Sequence, residues 1–266
     1  MHPNRLSDIK GFILDMDGTF YLGGRLLPAS LRFMDCLARR GLDYLFLTNN
    51  SSRDRLYYTE KLRNMGFDAP AKKILTSGEA AARYLHGMQP GARLFVVGTP
   101  FLERELQGFG FDLVQDTPDF AVLGFDTTLT YEKLWKLCDF VRLGVPYIAT
   151  HPDFNCPTDT VTGFMPDIGA MIAFVEAATG CLPTVIGKPQ REILDIAMQK
   201  MRLEPSQLAI VGDRLYTDIA AGRNGGMLSV LVLSGETKLQ DIKDSPHKPD
   251  LIFDSLGELA GALERL

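Results

Sequence analysis

Short apolar runs that end abruptly at polar clusters constrain this chain more than any other feature. Ile9–Leu14, Tyr44–Leu47, Leu94–Val97, Phe120–Leu123, Leu208–Val211 and Val230–Leu233 are such runs, with Tyr147–Ala149 and Thr184–Ile186 as shorter ones. A strand buried on both faces reads as continuous apolar sequence, whereas a half-exposed strand alternates. Helical patterns separate the runs. In Pro28–Arg40, Pro28 suits the first turn, Leu31, Met34, Leu37 and Ala38 form one stripe, and Gly41 stops it. Further helices are expected over 53–65, 101–108, 131–143, 168–179 and 191–201. Strands alternating with helices give an α/β fold, a doubly wound parallel-sheet core of Rossmann-like type. The expected strands end with Val230–Leu233, before a charged loop over 236–250.

Four polar clusters follow directly on these runs: Asp15/Asp17, Thr48/Asn49, Lys188 and Asp213/Asp218. In an open parallel sheet, ligands bind beyond the carboxyl ends of the strands, so residues distant in sequence converge there. Carboxylates crowded with a lysine and a hydroxyl need neutralising, and a divalent cation with a phosphoryl group does so. Mg²⁺ suits that role, since it takes oxygen ligands and binds through one or two carboxylates plus substrate phosphate.

The ordered motifs DMDGT (15–19), LTNN (47–50), GKP (187–189) and VGDRLYTD (211–218) resemble those of the haloacid dehalogenase-like hydrolases. FYLGG, TNNSS, ATHPD and GDRLYTDIAAG bring the chain closest to the NagD-like, class IIA phosphatase branch. The resemblance implies a Mg²⁺-dependent phosphatase acting on a small phosphomonoester. Asp15 would be the nucleophile that forms an aspartyl-phosphate. Asp17 would be the general acid and then base, and its backbone carbonyl a metal ligand. Thr48 and the Asn49 amide would hold phosphoryl oxygens, with Asn50 completing that group, and Lys188 would offset the charge. Asp15 and Asp213 would bind the metal, supported by Asp218, and Gly18 completes the first motif. Dimerisation through the cap is a further expectation from relatives. Two other classes use the same fold: a phosphotransferase or mutase that shares the aspartyl-phosphate, and a non-catalytic phosphate-ligand sensor.

Plainer readings exist for each motif. Asp-x-Asp-Gly alone is a common turn, although Thr19 after Gly18 and the missing glutamate exclude an EF-hand loop. The TNN segment also suits the cap of a helix starting near Ser52. Asp218 has a cap role as its alternative, and His151 is open between substrate contact and loop packing. Trp135 lies in an amphipathic helix and is assigned to core, as are the scattered methionines.

Spacing places the inserted domain. Asp15 and Thr48 are 33 positions apart, enough for one small unit, whereas Thr48 and Lys188 are 140 apart. An α/β cap is therefore expected over 79–182, within a core of 1–78 and 183–266. His151-Pro152-Asp153-Phe154-Asn155 and Met165–Gly169 are its candidate substrate-selecting segments, with His151 and Asp153 as substrate-binding residues.

Composition excludes several classes. A net charge of −5 argues against a general nucleic-acid binder. Four widely spaced cysteines without a C-x-x-C pair argue against a metal cluster or disulfide framework, and for a reducing compartment. The N-terminal stretch lacks a leader-type apolar region, and no apolar run approaches the ~18 residues of a membrane span. A cytoplasmic enzyme with a small phosphorylated metabolite as its partner is the expectation.

Overall fold

The computed structural model describes residues 6–157 and 163–266; residues 1–5 of the N-terminal stretch considered above lie outside them. The chain divides into two compact units. The first comprises Met1–Thr48, Tyr58–Leu75 and Lys188–Leu266. The second comprises Thr76–Gly187 together with Asn49–Tyr57, the segment that follows the second motif.

The first unit holds a six-stranded sheet in the order Leu251–Phe253, Leu228–Val232, Leu208–Gly212, Gly11–Leu14, Asp43–Thr48, Ile74–Thr76. The pairings from Leu251–Phe253 across to Asp43–Thr48 are all parallel. Gly11–Leu14 and Leu208–Gly212 are buried along their whole length, as their unbroken apolar runs require. One face of the sheet packs Phe12 and Leu14 in a core with Phe33 and Leu37 of helix Ser30–Arg40 and Leu259 and Leu263 of helix Leu256–Glu264. Each such side chain contributes about 1.5–3 kcal/mol by leaving water. Successive strand residues face opposite ways. Helix Arg191–Met201 packs on Asp43–Thr48, and Ala220–Gly225 on Leu208–Gly212 and Leu228–Val232.

Register decides where function goes. Leu14 lies opposite Val211 on one side and Phe46 on the other. The three strands therefore end nearly level, and the next residues are Asp15, Gly212–Asp213 and Leu47–Thr48. The Asp15 N–H donates to the Val211 carbonyl at 2.9 Å, carrying the pairing one residue past the strand.

The second unit has a five-stranded parallel sheet, ordered Thr184–Val185, Tyr147–Ala149, Phe120–Leu123, Arg93–Val97, Asp112–Leu113. Two of its helices, Tyr131–Arg142 and Ile168–Thr179, share a core with that sheet. Trp135 corrects the sequence reading: it is 59% exposed. The buried stripe of its helix is Leu134, Leu137, Cys138 and Val141, and Trp135 falls outside that spacing. The expected helix start near Ser52 also moves. Helix Arg55–Asn64 begins after Asp54, whose carboxylate accepts the Tyr57 N–H at 2.9 Å. Among the described residues no helix is long and apolar enough to cross a membrane.

Candidate active site

Asp15 and Asp17 flank Met16, which is fully buried, so the alternation after the strand turns both carboxylates away from that core residue. Gly18 follows at φ +80°, in the left-handed region where glycine is unstrained, and its N–H donates to the Tyr21 carbonyl at 2.8 Å. Lys188 is buried and donates through Nζ to Asp15 Oδ1 at 2.6 Å, Asp218 Oδ1 at 2.7 Å and the Leu47 carbonyl at 3.1 Å. Residues 30 and 173 positions from Lys188 thus meet on one ammonium group.

Asp218 reaches this position from a π-helical turn, Leu215–Ile219. Its Oδ2 accepts the Arg214 N–H at 3.1 Å while Oδ1 meets Lys188. Asp218 therefore both fastens its own turn and pairs with the lysine. Asp15, Asp213 and Asp218 bring carboxylate oxygens within 4.8 Å of one another.

The electrostatics of that cluster are unfavourable for the bare ions. Burial pushes the Asp15 carboxyl up to about 7, against the pull of Lys188, and the Asp218 charge adds to the rise. Burial likewise pushes Asp213 up to about 8, with further increases from Asp15 and Asp218. On Lys188 burial acts downward, but Asp15 and Asp218 outweigh it and hold the ammonium well above the usual lysine range. Three carboxylates, two of them buried, outnumber the cations acting on them, Lys188 and Arg214. All-oxygen donors at this spacing suit a hard divalent cation, which removes that excess. The acidic residues thus pass the chemical test for such a metal.

The remaining predicted residues are placed as follows. Thr48 is buried at the end of Asp43–Thr48, in the first unit. Asn49, Asn50, His151 and Asp153 belong to the second unit. Asn49 donates from Nδ2 to Asp153 Oδ1 at 3.1 Å, and its carbonyl accepts from the Ser77 hydroxyl. Asn50 Oδ1 accepts from the Ser52 N–H and hydroxyl, at 2.9 and 2.7 Å. His151 is buried, with Nδ1 accepting the Asp153 N–H at 3.4 Å and Nε2 3.6 Å from Asp167 Oδ1. His151 and Asp153 thus sit in a buried polar network inside this unit.

Sequence reasoning passed over Arg214, Ser234, Gly235 and Glu236. Ser234 donates to the Gly18 carbonyl at 2.8 Å, and the Glu236 N–H donates to Asp213 Oδ2 at 2.7 Å. The strand-end rule that selected Asp15 and Asp213 also reaches these residues, because Leu228–Val232 is the next strand in the sheet.

Known proteins resemble this chain over nearly its whole length. A haloacid dehalogenase-like hydrolase model matches residues 12–112, and a HAD-hydrolase-like model matches 185–259. An acid sugar phosphatase of Staphylococcus aureus (strain MRSA252) is 35% identical over 261 residues, covering 98% of this chain and all of the relative. The crystal structure of a 4-nitrophenylphosphatase from Thermotoga maritima superimposes with a TM-score of 0.94 at 47% identity, covering 97% of this chain and 98% of that one. NagD from Escherichia coli K-12 gives a TM-score of 0.87 at 34% identity, with 94% and 98% covered. The chain belongs to the haloacid dehalogenase-like hydrolase family. Within it the chain falls in the NagD-like class IIA branch and is a phosphoric monoester hydrolase.

Proposed function

We propose that the chain is a Mg²⁺-dependent phosphatase that hydrolyses a small phosphomonoester in two steps on Asp15. The observation that carries this reading is the Lys188 ammonium held between Asp15 and Asp218, with the Asp213 carboxylate beside them. In the first step an Asp15 oxygen bonds to phosphorus while the bond to the leaving oxygen breaks, and Asp17 gives that oxygen its proton. In the second, Asp17 takes a proton from water, the water oxygen bonds to phosphorus, and the Asp15–phosphorus bond breaks to release phosphate. The Thr48 hydroxyl and the Asn49 amide orient the phosphoryl oxygens. Lys188 keeps Asp15 directed and offsets its charge throughout.

Asp15, Asp213 and the Asp17 carbonyl would hold Mg²⁺, with Asp218 in support. When bound, the ion supplies positive charge against the phosphoryl oxygens. The relatives named as acting on sugar phosphates and 4-nitrophenyl phosphate support a small phosphate ester as substrate. We assign the choice among such esters to the second unit, because the motif side chains of the first unit address only the phosphate end. The buried thiols Cys36 and Cys138 support a reducing, cytoplasmic setting.

With an aryl phosphate, chelation by EDTA is expected to silence the enzyme and Mg²⁺ to restore it. Asp213→Asn should raise the Mg²⁺ concentration for half-maximal activity by at least about tenfold. An unchanged metal dependence would contradict the ligand role. Label passing to an added sugar rather than to water would mark a phosphotransferase, and tight ester binding without turnover a sensor.

We assign self-association to a face of the second unit on helix Tyr131–Arg142. Tyr131 and Trp135 are exposed one helical turn apart, and Tyr131 stacks edge-on with exposed Phe174 at 6.3 Å. We read this group of three exposed aromatic rings as the contact surface. Sedimentation should give a dimer that Trp135→Glu shifts towards monomer without loss of kcat; a monomeric wild type refutes this.

A further inference from the structure

Asp213 is held by the turn that follows strand Leu228–Val232. Its Oδ2 accepts the Glu236 N–H at 2.7 Å, and its carbonyl accepts the Thr237 N–H at 3.2 Å. Its Oδ1 faces the Thr19 hydroxyl at the longer distance of 3.4 Å. The turn 234–237 thus grips one carboxylate oxygen and the backbone of Asp213, and leaves the other oxygen the less committed of the two. Ser234 extends the grip to the first motif through the Gly18 carbonyl.

Two glycines make this approach possible. A Cβ at Gly235 would lie 2.0 Å from Asp213 Oδ2, and one at Gly18 would lie 2.5 Å from the same atom. Either methyl group displaces the carboxylate. The turn is closed from outside by an ion pair: Arg214 Nε lies 3.0 Å from Glu236 Oε2, with the two side chains 14% and 35% exposed. Arg214 adjoins Asp213 in sequence, so the pair joins the residue after the ligand to the residue whose N–H holds the ligand.

We infer that Arg214 and Glu236 are positioning residues for the metal, latching the turn 234–237 so that the Glu236 N–H fixes the orientation of the Asp213 carboxylate. The effect of the ion pair is on ligand orientation, and partners of metal ligands are worth about 10–100-fold in affinity. The inference rests on Asp213 being a metal ligand.

The test uses the full chain, with Mg²⁺ alone as the probe. Titration calorimetry should show a dissociation constant raised roughly tenfold in Glu236→Ala and less in Glu236→Gln, which retains a hydrogen bond to Arg214. Gly235→Ala should weaken binding at least as much, because it presses on the ligand directly. At saturating Mg²⁺ the Glu236 variants should recover kcat and KM for an aryl phosphate, which separates positioning from substrate contact. Wild-type Mg²⁺ affinity in a folded Glu236→Ala overturns the inference, as does a raised KM at saturating metal. If Glu236→Ala does not fold, the same comparison is read from Glu236→Gln and Gly235→Ala. A wild-type protein that binds no divalent cation fails at the earlier step, the ligand role of Asp213, and removes both.

Discussion

Replacing Asp15 by Asn is expected to leave a folded protein whose turnover of an aryl phosphate falls by a factor on the order of 10⁵ or more. The substitution keeps the shape of the side chain and removes the anionic oxygen that bonds to phosphorus. The fold should tolerate it, because Asp15 is a group whose ionisation is opposed by burial, and the neutral amide avoids that cost. Lys188 keeps Asp218 at 2.7 Å and the Leu47 carbonyl at 3.1 Å. Steady-state rates with melting curves on the same samples provide the check. Residual activity of a few per cent in a folded variant would remove Asp15 from the nucleophile's role.

The second large effect is a reversal of pH dependence by metal. The unfolded chain titrates Asp15 and Asp213 near 3.8, and the folded chain near 7 and 8. Folded values above the unfolded ones mean that the native state binds more protons, so stability falls as pH rises. The associated stability is fully present below pH 3.8 and is lost as pH climbs through 7 and 8. Metal-stripped protein should therefore melt at progressively lower temperature from mildly acidic to mildly alkaline pH. The limiting slope is about 1.4 kcal/mol per pH unit for each proton involved. A divalent cation binds the ionised carboxylates and releases those protons, so stabilisation by Mg²⁺ should grow over the same range. Melting temperatures measured across this range, in EDTA and in saturating Mg²⁺, should diverge as pH rises. Parallel curves would show that the carboxylates do not meet the ion.

Asp15 and Asp213 were legible because continuous apolar runs identify buried parallel strands, and the register then levels the strand ends. Helix Ile168–Thr179 was legible through its boundary residues Asp167 and Gly180, and Arg191–Met201 through the stripe Ile193, Leu194, Ala197 and Met201. Strand Ile74–Thr76 and helix Ser77–Met88 were not read as elements, since the last strand residue, Thr76, is also the helix N-cap, so no turn separates the two, and the helix carries a glycine in its first turn. Strand Leu251–Phe253 is an apolar run of only three residues, partly buried at the sheet edge and preceded by the charged loop, and it escaped notice with the helix after it. The double pairing of Asp218 depends on a π-helical turn, a backbone detail without a residue code. The Glu236 contact was hidden more deeply, because its donor is a main-chain N–H, which almost every residue possesses.

The two glycines beside Asp213 have a consequence for reading other gene copies. Alanine at Gly18 would press on the Asp213 carboxylate, and at Gly235 on its Cβ as well, so either substitution acts on the ligand itself. At Gly18 the backbone also resists, because its φ of +80° disfavours any side chain. A duplicate of this gene with alanine at either position would retain every aspartate of its signature and hold Mg²⁺ more weakly. That weakening would be written at a position that carries no functional group at all.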